Sequence, residues 1–103
     1  MTLFTLINDA LDSNDNMEAL ISFLLVNYPP ITITDAHEHP DMKQIFDRSV
    51  QKSISDLQEY DEQFIPIAVL RYVIMNGNGN YNVSNIPSWP RFVDRYHPIL
   101  LNV

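Results

Sequence analysis

The sequence predicts a mainly α protein: a compact bundle of about four helices with an irregular C-terminal segment. Three observations carry this expectation. Apolar residues recur at helical spacing in the first quarter of the chain. A cluster of capping residues, Ser13-Asn14-Asp15-Asn16, separates two such stretches. A third stretch, 41–60, has one apolar and one charged face. The alternative is an α+β fold with a small hairpin around Asn76 to Gly79.

The elements follow in order. Leu3, Phe4, Leu6, Ile7, Ala10 and Leu11 predict a first helix from Thr2 to about Leu11. Asp15 with Glu18 three positions on forms a capping box that opens a second helix. That helix carries Met17, Leu20, Ile21, Phe23, Leu24, Leu25 and Tyr28, and Pro29-Pro30 stops it. It is apolar nearly all round by its end, which suits a central position. Ile31-Thr32-Ile33-Thr34 alternates, as a short strand or an extended loop would. Pro40 and Asp41 suit a helix first turn. In the third helix, Met42, Ile45, Phe46, Val50, Ile54 and Leu57 make the apolar face.

Residues 65–75 are nearly continuously apolar, and periodicity alone does not separate helix from strand there. Pro66 fits a helix first turn and Asn76-Gly77 a helix stop; the same Asn-Gly fits a hairpin turn. The helix is the favoured reading. The tail, with Pro87, Pro90 and Pro98, is expected to be loop plus a short helix over 91–96. Leu24, Leu25, Phe46, Val50, Ile67 and Leu70 are expected in the core. The chain reads as one domain, 1–103.

Charge is the best functional clue. The first 42 residues hold seven acids and no lysine or arginine. Six acids and six bases follow, so the net charge of −7 comes from the N-terminal part. Such a field argues against nucleic acid and anionic membrane as direct partners and suits a basic protein surface. No apolar run approaches the ~20 residues of a membrane span, and no signal peptide is evident at the N-terminus. The absence of cysteine removes disulfides and thiolate chemistry and fits a cytoplasmic chain. Two glycines are too few for a glycine-rich phosphate loop.

Asp35-Ala36-His37-Glu38-His39-Pro40-Asp41 is the densest ligand-bearing segment. In an extended chain, Asp35, His37, His39 and Asp41 share one face, a donor set suited to zinc. With the preceding Ile-Thr-Ile-Thr run, the segment resembles the first metal-binding strand of the amidohydrolases. Those enzymes need a (β/α)₈ barrel of ~250 residues, and this chain has 103. The expectation is therefore no metal and no cofactor, with His37 and His39 the only candidate ligands. Glu38-His39-Pro40 after an acidic helix also resembles the helical nuclease-colicin immunity proteins, although the tyrosine pair that follows in that family has no counterpart here. No nucleophile elbow is present. Tyr81, Trp89, Phe92 and Tyr96, beside Arg91 and Arg95, fit base stacking, interface anchoring or, first of the three, a cap on the bundle.

The expected function is a non-catalytic, acidic protein-binding module of immunity, antitoxin or inhibitor type. It would block a basic partner such as a nucleic-acid-acting toxin or enzyme. Its binding residues would be Asp9, Asp12, Asp15, Glu18, Asp56, Glu59, Asp61 and Glu62, with carboxylates mimicking phosphate. The chain would be a monomer or weak homo-oligomer. The alternative is a structural or oligomeric subunit of a phage or complex, self-associating through Pro98-Ile99-Leu100-Leu101. A small metal-dependent enzyme using the His37/His39 loop ranks third.

Overall fold

A computed structural model describes residues 3–10, 14–28, 39–47, 49–80 and 83–101. The protein is mainly α. Helices α1 (Leu3–Asp9), α2 (Asn14–Asn27), α3 (Pro40–Phe46), α4 (Ile65–Asn80) and α5 (Trp89–Leu101) carry the fold. Short 3₁₀ turns at Ser55–Glu59, Glu62–Phe64 and Val83–Asn85 connect them, and no strand occurs among the described residues.

Helix α2 buries Met17, Leu20, Ile21, Leu24 and Leu25. It begins at Asn14, so Asp15 lies within its first turn and is not the N-cap of a capping box. There its carboxylate favours the positive end of the helix dipole. Helix α4 opens on six consecutive buried residues, 65–70, and adds Val73. It runs through Asn76-Gly77 to Asn80, which replaces the hairpin alternative with helix. Pro66 sits in its first turn, where a missing N–H costs nothing.

The C-terminal segment is not irregular. Trp89–Leu101 is one helix of 13 residues. Pro90 falls in its first turn, and Pro98 lies in the last turns with its ring exposed. Phe92, Tyr96 and Ile99 form a buried stripe at spacings of four and three. Helix α5 packs on both α4 and α2, α1 packs on α2, and the 55–59 turn lies against α1 and α4. The buried side chains form one continuous cluster.

The predicted helix over 41–60 is broken. Helix α3 ends at Phe46, and Asp47 is extended. The Asp47 carboxylate accepts hydrogen bonds from the Ser49 backbone N–H (2.9 Å) and hydroxyl (2.7 Å). These bonds hold its carboxyl below the usual carboxylate range. A side chain that offers the backbone such a partner competes with helical bonding. Arg71 of α4 then fixes the turn, donating from one nitrogen to the carbonyls of Asp47 (3.0 Å) and Val50 (2.9 Å). The break moves the helix face. Leu24, Leu25, Ile67 and Leu70 are buried as expected, but Phe46 and Val50 are only half-buried. Ile54, Phe64, Phe92 and Tyr96 take the volume expected of them.

Two polar contacts fix the C-terminal end of α2. Arg95 Nη1 donates to the Leu25 carbonyl at 2.8 Å and the Tyr28 carbonyl at 3.4 Å. The last carbonyls of a helix lack intrahelical partners, and a cation there also meets the negative end of the dipole. The Tyr96 hydroxyl reaches the Tyr28 carbonyl at 3.5 Å, and its burial pushes the phenol pKa up.

The buried and half-buried phenylalanines separate in a stability measurement. Phe64→Ala should cost roughly 3–5 kcal/mol and Phe46→Ala about half of that or less. Urea melts check the order; equal losses would contradict the broken helix. Arg95→Met should cost about 1–3 kcal/mol by leaving α2 carbonyls unpaired. The exposed Arg91→Met should stay within ~0.5 kcal/mol.

Candidate acidic binding surface

The acidic residues fall into two groups set by the two ends of α2. At its N-terminal end, Asn16 Nδ2 donates to the Asp9 carbonyl (3.0 Å), tying α1 to α2. The Ser55 hydroxyl donates to Asn8 Oδ1 across 47 positions of sequence (3.1 Å). That bond brings the 55–59 turn beside the end of α1. Asp9 and Asp56 each follow one of the two bonded residues, and both are exposed. Asp15 is exposed and Glu18 partly so. Asp12 lies outside the described residues.

At the C-terminal end, Glu62 accepts a hydrogen bond from the Tyr28 hydroxyl. Burial, then the Glu62 charge, then that bond, push the Tyr28 phenol pKa up. Asp61 and Glu62 are exposed. The Asp61 backbone N–H donates to Asp41 Oδ2 at 2.7 Å. Asp41 thus joins this group, 20 positions away in sequence. Sequence reasoning placed Asp41 at a helix first turn and on a face with Asp35, His37 and His39, and nothing local signals its contact with residue 61.

The acidic residues thus fall in two neighbourhoods: Asp9, Asp15, Glu18 and Asp56 beside the Asn8–Ser55 and Asn16–Asp9 contacts, and Asp41, Asp61 and Glu62 beside the Asp41–Asp61 contact. Glu59 serves neither fully. Its carboxylate meets Lys52 Nζ at 2.9 Å, which holds the Lys52 ammonium above its usual range. Lys52 also sits over the Tyr60 ring, 5.0 Å from its centre.

The histidine loop is described only at its end, since His37 lies outside the described residues. His39 is the N-cap of α3, its Nδ1 accepting the Asp41 N–H at 3.1 Å. Its ring packs on Phe64, with centres 4.5 Å apart. Its Nε2 lies 3.9 Å from Asp61 Oδ2. Among the described residues, no three His or acidic side chains are grouped for metal binding.

The aromatic and arginine residues of the tail are largely structural. Phe92 and Tyr96 are buried edge to face, with centres 5.2 Å apart. Arg95 is committed to α2. Trp89 is half-buried against Phe92 and Arg91 is exposed; Tyr81 lies outside the described residues. No family model, curated protein or solved structure matches this chain.

The helix cap makes a prediction about zinc. His39 Nδ1 is already an acceptor for the backbone, so zinc binding there would cost α3 its cap. Elemental analysis of protein purified without a histidine tag should show well under one equivalent of zinc. One equivalent that vanishes in a His37→Ala, His39→Ala double variant would contradict this.

Proposed function

We propose that this chain is a non-catalytic, acidic protein-binding module of immunity, antitoxin or inhibitor type, blocking a basic partner. The observation that carries the reading is the division of labour among the charges. Lys52 is paired with Glu59, while Arg71 and Arg95 donate to backbone carbonyls of neighbouring elements. Half of the six cations of the chain are thus spent on its own structure. Among the described residues, Asp9, Asp15, Glu18 and Asp56 take part in no ion pair. An unneutralised carboxylate patch attracts a basic partner and speeds encounter.

A surface pocket lined by Gln51, Lys52, Leu57, Arg71, Tyr72 and Met75 has a volume of about 100 Å³. That is below the ~300–1,000 Å³ of typical ligand pockets. No described helix is long and apolar enough to cross a membrane. A cytoplasmic location is part of the same proposal.

The alternative is a structural or oligomeric subunit. Phe4, Val26, Ile74 and Met75 are exposed and favour it. The tail is a poorer candidate than expected, because Ile99 is buried in the core. The side chains of Leu100 and Leu101 lie outside the described residues.

Association kinetics test the electrostatic reading. With a partner captured from the native host, the on-rate should fall steeply as salt rises from about 50 to 500 mM. An Asp9→Asn, Asp15→Asn, Glu18→Gln, Asp56→Asn variant should associate about tenfold more slowly at low salt, with little change in off-rate. A variant that keeps the wild-type on-rate would sink the proposal. Concentration-dependent self-association by analytical ultracentrifugation, lost on Ile74→Ser or Met75→Ser, would favour the alternative.

A further inference from the structure

We propose that His39 is a charge-state switch at the joint between α3 and the 60–64 turn. The hydrogen-bond geometry requires a neutral ring. Nδ1 accepts the Asp41 N–H at 3.1 Å. A neutral imidazole has one acceptor and one donor nitrogen, so the proton sits on Nε2. The same Asp41 turns its carboxylate to the Asp61 N–H, at 2.7 Å from Oδ2. Asp41 therefore connects the imidazole to residue 61: its amide binds the ring, and its side chain binds the turn.

Protonation breaks this arrangement. Both ring nitrogens become donors, and Nδ1–H then points at the Asp41 N–H. The helix loses its cap. The nearest acceptors are the carboxylates of Asp41 and Asp61. Asp41 Oδ2 lies 3.9 Å from Nδ1 and Asp61 Oδ2 lies 3.9 Å from Nε2. Neither is a hydrogen bond at that length. The charged ring must turn to reach them. Asp41 Oδ2 is already held by the Asp61 amide, so the ring competes directly with the contact that positions the turn.

The surroundings favour a local event. One face of the ring packs on buried Phe64. On its own helix the charged groups are Asp41 and, one turn on, exposed Lys43. From the turn come Asp61 and Glu62, the latter bonded to Tyr28, and Tyr60, whose hydroxyl senses Asp41. His37 and Glu38, which precede His39, lie outside the described residues. Asp61 and Glu62 of the second acidic patch would move with the joint, so the patch would change both shape and charge when the ring is protonated.

Residue-resolved NMR on the whole chain tests the switch without any partner. The Asp41 and Asp61 amide resonances should titrate with the midpoint of the His39 ring protons. The Asp41 protection factor should fall roughly fivefold as the ring charges, the ratio a lost N-cap implies. At high pH, ring nitrogen shifts should report the Nε2–H tautomer. His39→Asn replaces the ring with a strong, non-titrating N-cap. It should keep α3 and remove the coupled response at residues 41 and 61. An Nδ1–H tautomer, amides indifferent to the His39 midpoint, or an unchanged pH response in His39→Asn would each overturn the proposal. The wild-type readings decide it even where the variant folds poorly.

Discussion

The long apolar stretches of α2 and of the first turns of α4 must both be covered, and most of the architecture answers that constraint. Helix α4 begins with six buried residues in a row, which no single neighbour can shield. Helix α2 buries residues from Met17 to Leu25 on a wide arc. A helix that is apolar on most faces is stable only inside. In a chain of 103 residues, the cover must come from short pieces used from several directions. Helix α1 and α5 both lie on α2, while α5 and the 55–59 turn lie on α4. Helix α5 is the piece that reaches both, through Phe92, Tyr96 and Ile99.

Burying helices creates a second problem at their ends. Carbonyls at the end of a buried helix have no intrahelical donors, and leaving them bare costs about 1–3 kcal/mol each. Here cations from distant elements fill the gap. Arg95 of α5 serves the end of α2, and Arg71 of α4 serves the break after α3. The covering helices thus supply both apolar area and donors.

The helical class was legible because spacing alone specifies it over 3–11 and 17–28. The helix of 65–80 was legible only as a preference, since continuous apolarity carries no period. The break in 41–60 was written locally in Asp47 and Ser49, but the apolar spacing across it is continuous enough to hide it. What decides is the Asp47 carboxylate taking the Ser49 donors, together with Arg71 from 21 to 24 positions away. Helix α5 was obscured by three prolines. Two sit before or within the first turn; the third, Pro98, offers no N–H to the Asp94 carbonyl, and the packing of α5 on α4 and α2 carries the helix past it. The acidic residues were legible as a set, not as an arrangement. Asn8 with Ser55, and Asp41 with Asp61, are contacts of 47 and 20 positions that no local pattern announces.

For the binding role proposed above, that arrangement constrains the partner. The two patches adjoin along the 55–62 turns, where Asp56 of one lies five positions from Asp61 of the other. A folded basic surface that touches both would gain from each. The patches also differ in kind. Asp9, Asp15, Glu18 and Asp56 are carboxylates on elements tied by Asn8 and Asn16. Asp41 and Asp61 flank an imidazole, with Asp41 accepting the Asp61 backbone N–H, and Glu62 stands beside the Tyr28 phenol. The first patch has the character of a constant electrostatic attractor. The second is positioned by the Asp41–Asp61 contact beside one ring, so in the binding role proposed above it is the part of the surface where selectivity would reside.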